Sequence, residues 1–221
     1  MNFVMNIISR LMWAILFFSL NLSVTYRAAG GDDAASIFSK LEKKYAGIRD
    51  ASVSFIQHVQ FGVTKTEQSF TGTMLMKKGN KFRIEMEDQT IVTNGSSVWS
   101  FSKINQQVLI DKFKEDPKSF SPDKVLVNVP NFYYAAFLGK EKLNSIETSI
   151  LKLVPKDDKS NFKWMKIWVD TDEFLMRKIQ IFDVSDNLTT YFVNDIKLNS
   201  GVVDSQFQFQ PPPDVEVIDL R

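Results

Sequence analysis

The chain has 221 residues, with 27 basic and 26 acidic side chains, one histidine and no cysteine. So even a balance gives no electrostatic drive towards nucleic acid or an anionic membrane, and lysines spread along alternating strands read as a solvated face. Without cysteine there are no disulfides and no lipid on an N-terminal Cys; with a single histidine, the common zinc sites and Cys–His catalysis are closed as well.

Residues 11–24 form an apolar run of signal-peptide length, short for a membrane span. Small residues follow at Ala28, Ala29, Gly30 and Gly31. The expectation is a signal peptide over residues 1–30, cleavage near Gly30, and a single exported domain over 31–221. An uncleaved anchor is the alternative, and both place the remainder across a membrane. Asp32 or Asp33 can cap a helix running to about Gly47, with Ile37, Leu41, Tyr45 and Ile48 on one apolar stripe.

From Ala51 the period switches to two, with Val53, Phe55, Gln57, Val59 and Phe61 on one face of a strand. Phe70, Gly72, Met74 and Met76 line the next. After the turn Lys77-Lys78-Gly79-Asn80, Phe82, Ile84 and Met86 face one way while Arg83, Glu85 and Glu87 face the other. Asn94-Gly95 turns a further hairpin between 90–93 and 98–101, and 106–111 is another strand. Pro117, Pro122 and Pro130 interrupt the rhythm. Residues 132–138, followed by Gly139, read as a short apolar helix with a glycine stop. Strands resume at 146–154, 162–170, 174–182, 188–196 and 205–209. Phe162, Trp164 and Trp168 point one way and Met165, Ile167 and Val169 the other, so both faces need cover. No internal repeat or linker is present.

Catalytic signals are weak. His58 stands alone on a strand, and Asp157-Asp158 and Asp170-Thr171-Asp172-Glu173 lack the spacing of a calcium loop. Gly72, Gly79 and Gly95 are isolated, so no phosphate cradle forms. Carboxylates that meet only in space, as in glycoside hydrolysis, stay open. The expectation is no enzyme, no cofactor and no metal. What stands out is a stripe of large soft apolar residues: Phe70, Met74, Met76, Phe82, Ile84, Met86, Trp99 and Phe101. Such a stripe is more often core than a binding surface. Its methionines suit a variable apolar partner, and the proline-punctuated segment that ends in residues 132–138 looks like a cover.

The stretches Phe55-Ile56-Gln57, Gly72-Thr73-Met74, 77–85, 91–99, 207–212 and 214–218, in this order and spacing, resemble the LolA family. These are periplasmic carriers of outer-membrane lipoproteins in Gram-negative bacteria. The resemblance covers about residues 35–218. It implies an α+β, mainly β fold: an incomplete antiparallel β-barrel, or half-barrel, with a helical lid over an apolar cavity. Acyl chains would lie on Phe55, Phe70, Met74, Met76, Phe82, Ile84, Met86, Trp99 and Phe101. Ile37, Leu41, Tyr45, Phe132, Phe137 and Leu138 would form the lid. Family members often have Arg-Pro at the turn that here reads Lys78-Gly79, which casts Lys78 as the lid lock. The implied partners are acylated lipoproteins, an inner-membrane ABC transporter that releases them and an outer-membrane lipoprotein receptor; a monomer is expected. The alternatives are a carrier of another lipid or glycolipid and a periplasmic hydrolase.

Overall fold

A computed structural model describes residues 31–114, 132–158 and 160–221. The 1–30 signal reading and most of the proline-punctuated segment lie outside them. Among the described residues, one helix, α1 (Gly31–Ala46), precedes twelve strands: β1 (Asp50–Gln60), β2 (Glu67–Lys77), β3 (Lys81–Met86), β4 (Gln89–Asn94), β5 (Ser97–Ser102), β6 (Gln107–Lys112), β7 (Tyr133–Leu143), β8 (Ile146–Pro155), β9 (Phe162–Asp170), β10 (Met176–Asp183), β11 (Leu188–Leu198) and β12 (Glu216–Asp219). All twelve belong to one sheet in the order β12-β6-β5-β4-β3-β2-β1-β11-β10-β9-β8-β7. The sheet is open, with β12 and β7 at its edges. Every pairing is antiparallel except β12 on β6.

The sheet has two halves joined at the β1–β11 seam, where the register shifts between Val53 and Phe55. In the second half, β7–β11, one face carries α1. Ala34, Phe38 and Leu41, spaced along one side of the helix, bury against Leu151, Leu153, Met165, Ile167, Val169, Met176 and Ile179. Lys43 and Lys44 lie in the last turn, where cations suit the helix dipole. Bonds from Gly47 N–H to the Lys44 carbonyl and from Ile48 N–H to that of Tyr45 close the helix end.

In the first half, β1–β6 and β12, the opposite face is the buried one. Val92, Trp99, Phe101, Val108 and Ile110 form its core, covered by Phe209 and Val215 of the C-terminal tail. A 3-10 turn (Asp204–Phe207) places Phe207 at 0 % exposure. Asp204 anchors this tail by ion pairs to Lys77 (2.6 Å) and Lys81 (2.9 Å), and the Arg83 guanidinium donates to the carbonyls of Gln206 and Gln208.

Four sequence expectations change. Residues 132–138 are not a helix: Tyr133–Leu143 pairs along β8, with a bulge between Phe137 and Gly139 that uses the φ of +129° at Gly139. Alternation of Tyr133 and Phe137 beneath the helix with Tyr134 and Ala136 on the far side is a strand pattern, and aromatic residues favour it. Residues 205–209 are not a strand but the 3-10 turn and the segment after it. A bulge at Phe182/Asp183 turns Phe162 away from Trp164 and onto the helix-bearing face, where it stacks on Tyr133. Finally, β10 starts at Met176, because Phe174 takes a left-handed φ of +52° in the preceding turn.

Candidate functional site

Directly paired residues of antiparallel strands share a face. The register sets Ala51, Met76, Phe82, Thr93 and Val98 in one row on the helix-bearing side. Val53, Met74, Ile84 and Ile91 form the next row, then Phe55, Gly72 and Met86, then Gln57 and Phe70. The structure thus brings Phe55, Phe70, Met74, Met76, Phe82, Ile84 and Met86 together as one apolar surface. Gly72 makes room within it: a Cβ there would stand 2.5 Å from the Phe55 ring.

Trp99 and Phe101 do not belong to this surface. Trp99 pairs with Val92 and Ile110, and Phe101 with Thr90 and Val108, on the other side of the sheet. They are core beneath the tail, at 9 % and 8 % exposure. Two-residue connections at Glu87-Asp88 and Gly95-Ser96 swap odd and even numbers between neighbouring strands. Counting through those turns puts Ile91 and Val98 on the stripe and takes Trp99 and Phe101 off it, while Val53 joins it from β1 as the partner of Met74.

Each of the predicted residues on this surface is half-buried. Met76 and Val53 pack against the small core of Ile48, Ala51 and Leu175. The others join none of the clusters of buried residues among the described residues. At the seam the Phe55 ring meets Tyr191 edge-on, at 6.1 Å between centroids. The amide of Gln57 donates to the Tyr191 hydroxyl (3.3 Å), whose pKa burial pushes up.

The predicted lid residues divide. Leu41 is fully buried, while Ile37 and Tyr45 are half-buried against the same cluster. Fully burying a side chain such as Leu or Phe is worth about 1.5–3 kcal/mol, so α1 is a core element of the second half. Phe137 packs under it, whereas Phe132 and Leu138 are exposed on or beside the edge strand. Lys78 reaches the helix: its Nζ donates to the carbonyl of Ala46, the last helical residue (2.9 Å), and its N–H to that of Arg49. A cation on a terminal carbonyl is favourable for the helix dipole.

A polar pocket of about 670 Å³ at the far end of β7–β10 holds Glu141, Glu147, Asp170, Asp172 and Glu173. Burial pushes the Asp170 carboxyl up. The backbone N–H of Glu173, the Arg177 guanidinium (2.7 and 3.0 Å) and the N–H of Asp172 outweigh it and hold the group below the usual range. A general acid needs the opposite shift. Among the described residues, no helix is long and apolar enough to cross a membrane.

Residues 46–210 match the family described as outer membrane lipoprotein carrier protein LolA. The chain is 28 % identical over 190 residues to the outer-membrane lipoprotein carrier protein of Haemophilus influenzae strain PittEE, covering 85 % of this chain and 89 % of that one. It is 25 % identical over 203 residues to the protein of that name from Pasteurella multocida strain Pm70, covering 90 % and 94 %. An uncharacterized conserved protein from Thermus thermophilus shares the fold with a TM-score of 0.56 at 12 % identity, over 84 % of this chain and 98 % of that one. With the family match running over residues 46–210, most of its length, the chain belongs to the LolA family of outer-membrane lipoprotein carriers.

Proposed function

We propose that this chain loses residues 1–30 on export and works in the periplasm as a carrier. It takes acylated lipoproteins from an inner-membrane ABC transporter and passes them to an outer-membrane receptor. The acyl chains lie on Phe55, Phe70, Met74, Met76, Phe82, Ile84 and Met86. One observation carries this reading: these side chains form a continuous apolar surface, yet most stand outside the sealed clusters. Each buried CH₂ is worth about 0.8 kcal/mol, so one long chain offers ~10 kcal/mol before costs. Such affinity must be weakened for release. The lid on this reading is α1, with Ile37, Leu41 and Tyr45. The turn after it borders the stripe, where Met76 packs against the cluster of Ile48, and Lys78 holds the end of the helix at Ala46.

The test is to purify the exported protein from its own envelope and identify by mass spectrometry what comes with it. Acylated protein supports the reading. Free lipid or glycolipid would make the chain a carrier of another amphiphile. Nothing apolar would contradict both.

A further inference from the structure

The face of β8–β11 that points away from α1 is built in an unusual way. A sheet face turned to solvent is ordinarily polar. Here Lys152, Lys166, Gln180, Thr190 and His58 form one row across the strands, and Ile150, Trp168, Lys178, Phe192 and Ile56 form the next. Trp164 stacks on Phe182 beside them, at 5.3 Å between centroids. The lysines lie over the rings: Lys166 at 5.2 Å and Lys152 at 6.0 Å from Trp164, and Lys178 at 4.2 Å from Trp168 and 5.4 Å from Phe192. At the margin Lys163 lies over Phe182 and Lys156 over Tyr134, so that of the described lysine-over-ring contacts only Lys40 on Phe174 falls elsewhere.

Lys152, Lys166 and Lys178 have no carboxylate partner among the described residues. The acidic groups nearby are spoken for at the margin, Glu141 on the Trp168 indole N–H (2.7 Å) and Asp186 on Lys163. At the upper rim Tyr134 is 66 % exposed, and Val154 is exposed next to it. The near-zero net charge of the chain therefore hides a local segregation: cations on an aromatic floor.

We propose that this face docks on the surface of an anionic phospholipid bilayer. Aromatic rings with one polar edge settle at headgroup depth. Lysine stems that now cover those rings can extend to lipid phosphates, uncovering the rings to the interface. A surface negative outside and apolar just beneath matches both parts of the patch. The proposal does not depend on the cargo reading, because the cargo surface lies on the other side of the sheet in the other half.

The experiment is vesicle co-sedimentation of the exported, purified chain with phosphatidylcholine vesicles, with and without about one-third phosphatidylglycerol. Binding to the anionic vesicles alone is expected, with a blue shift of tryptophan emission and release at about 0.5 M salt. Lys152→Glu/Lys166→Glu/Lys178→Glu should weaken it at least about tenfold, and Trp164→Ala should weaken it too. Lys103→Glu, in the other half, should not. If the charge reversals unfold the chain, the corresponding Lys→Gln triple variant makes the same test. Equal binding to both vesicle types, no binding to either, or an unchanged triple variant would overturn the proposal. So would retention on poly-glutamate without binding to vesicles, which would make the face a site for an acidic polypeptide.

Discussion

The two halves of the sheet are sealed on opposite sides. In β7–β11 the helix covers one face, and on the other the rings of Trp164 and Trp168 lie under lysine stems, which leave Trp168 only 5 % exposed. In β1–β6 the C-terminal tail covers the face opposite the helix, and the helix-bearing face is left to Phe82, Ile84 and Met86. Among the described residues, each half thus has one face closed by a covering element and one that is not. A strand apolar on both faces need not be buried on both, and only the register shows which face serves which purpose.

The largest effects should come from the sealed faces. Phe207→Ala should cost about 4 kcal/mol and Leu41→Ala about 3 kcal/mol in urea unfolding, as expected of a cavity where nothing can collapse inwards. Truncating the half-buried Ile84 to Ala should cost only about 1 kcal/mol. A loss at Ile84 as large as at Leu41 would erase the distinction between sealed and open faces. Asp170→Asn should also cost about 3 kcal/mol, because it leaves the Arg177 guanidinium, itself largely buried, without its partner.

A smaller stability effect, with a larger functional one, is expected at Phe82. Phe82→Glu places a carboxylate where a sealed core would not accept it. On the open face it should fold with a loss of about 1 kcal/mol or less and fail in cargo uptake or transfer. Thermal unfolding and transfer measured on one preparation decide the matter: a chain that cannot fold returns Phe82 to the core, and one that transfers normally removes it from the site.

Acid probes the anchoring of the tail. Hydrogen bonds from Lys77 and Lys81 pull the Asp204 carboxyl down to about 2. Its folded pKa lies below the unfolded value of about 4, so the anchor is complete above that pH and is lost as pH falls towards 2. Asp204→Asn should remove this part of the acid response, and superimposable acid titrations of the two proteins would show that the ion pairs do not hold the tail. The least change is expected from Lys78→Arg. A guanidinium can hold two carbonyls where an ammonium holds one, so cargo release should slow slightly while stability barely moves. Faster or unchanged release would leave Lys78 a surface residue that happens to meet Ala46.

Much of this is legible in the chain. Alternation places Phe82, Ile84 and Met86 on one face against Arg83 and Glu85, and the helical stripe finds Leu41. It passes over Ala34 and Phe38, which bury as deeply. Period-two patterns give faces within a strand but not between strands, which is why they group Trp99 and Phe101 with residues on the other side. Bulges hide in the same way: one extra residue in β9 moves Phe162 across the sheet. The aromatic run at 132–138 alternates as a strand does, but Gly139 after it reads equally as a helix stop, and pairing with β8 decides it.

The most direct test of the central claim is site-specific photo-crosslinking during transfer. A benzophenone side chain placed at Ile84, on the open face of the first half, should capture acylated lipoprotein; the same probe at Leu109, in the same row across the sheet towards β12, should capture less, and at Phe101, under the tail, none. Capture at Phe101 with none at Ile84 would contradict the assignment of the cargo surface to the helix-bearing face.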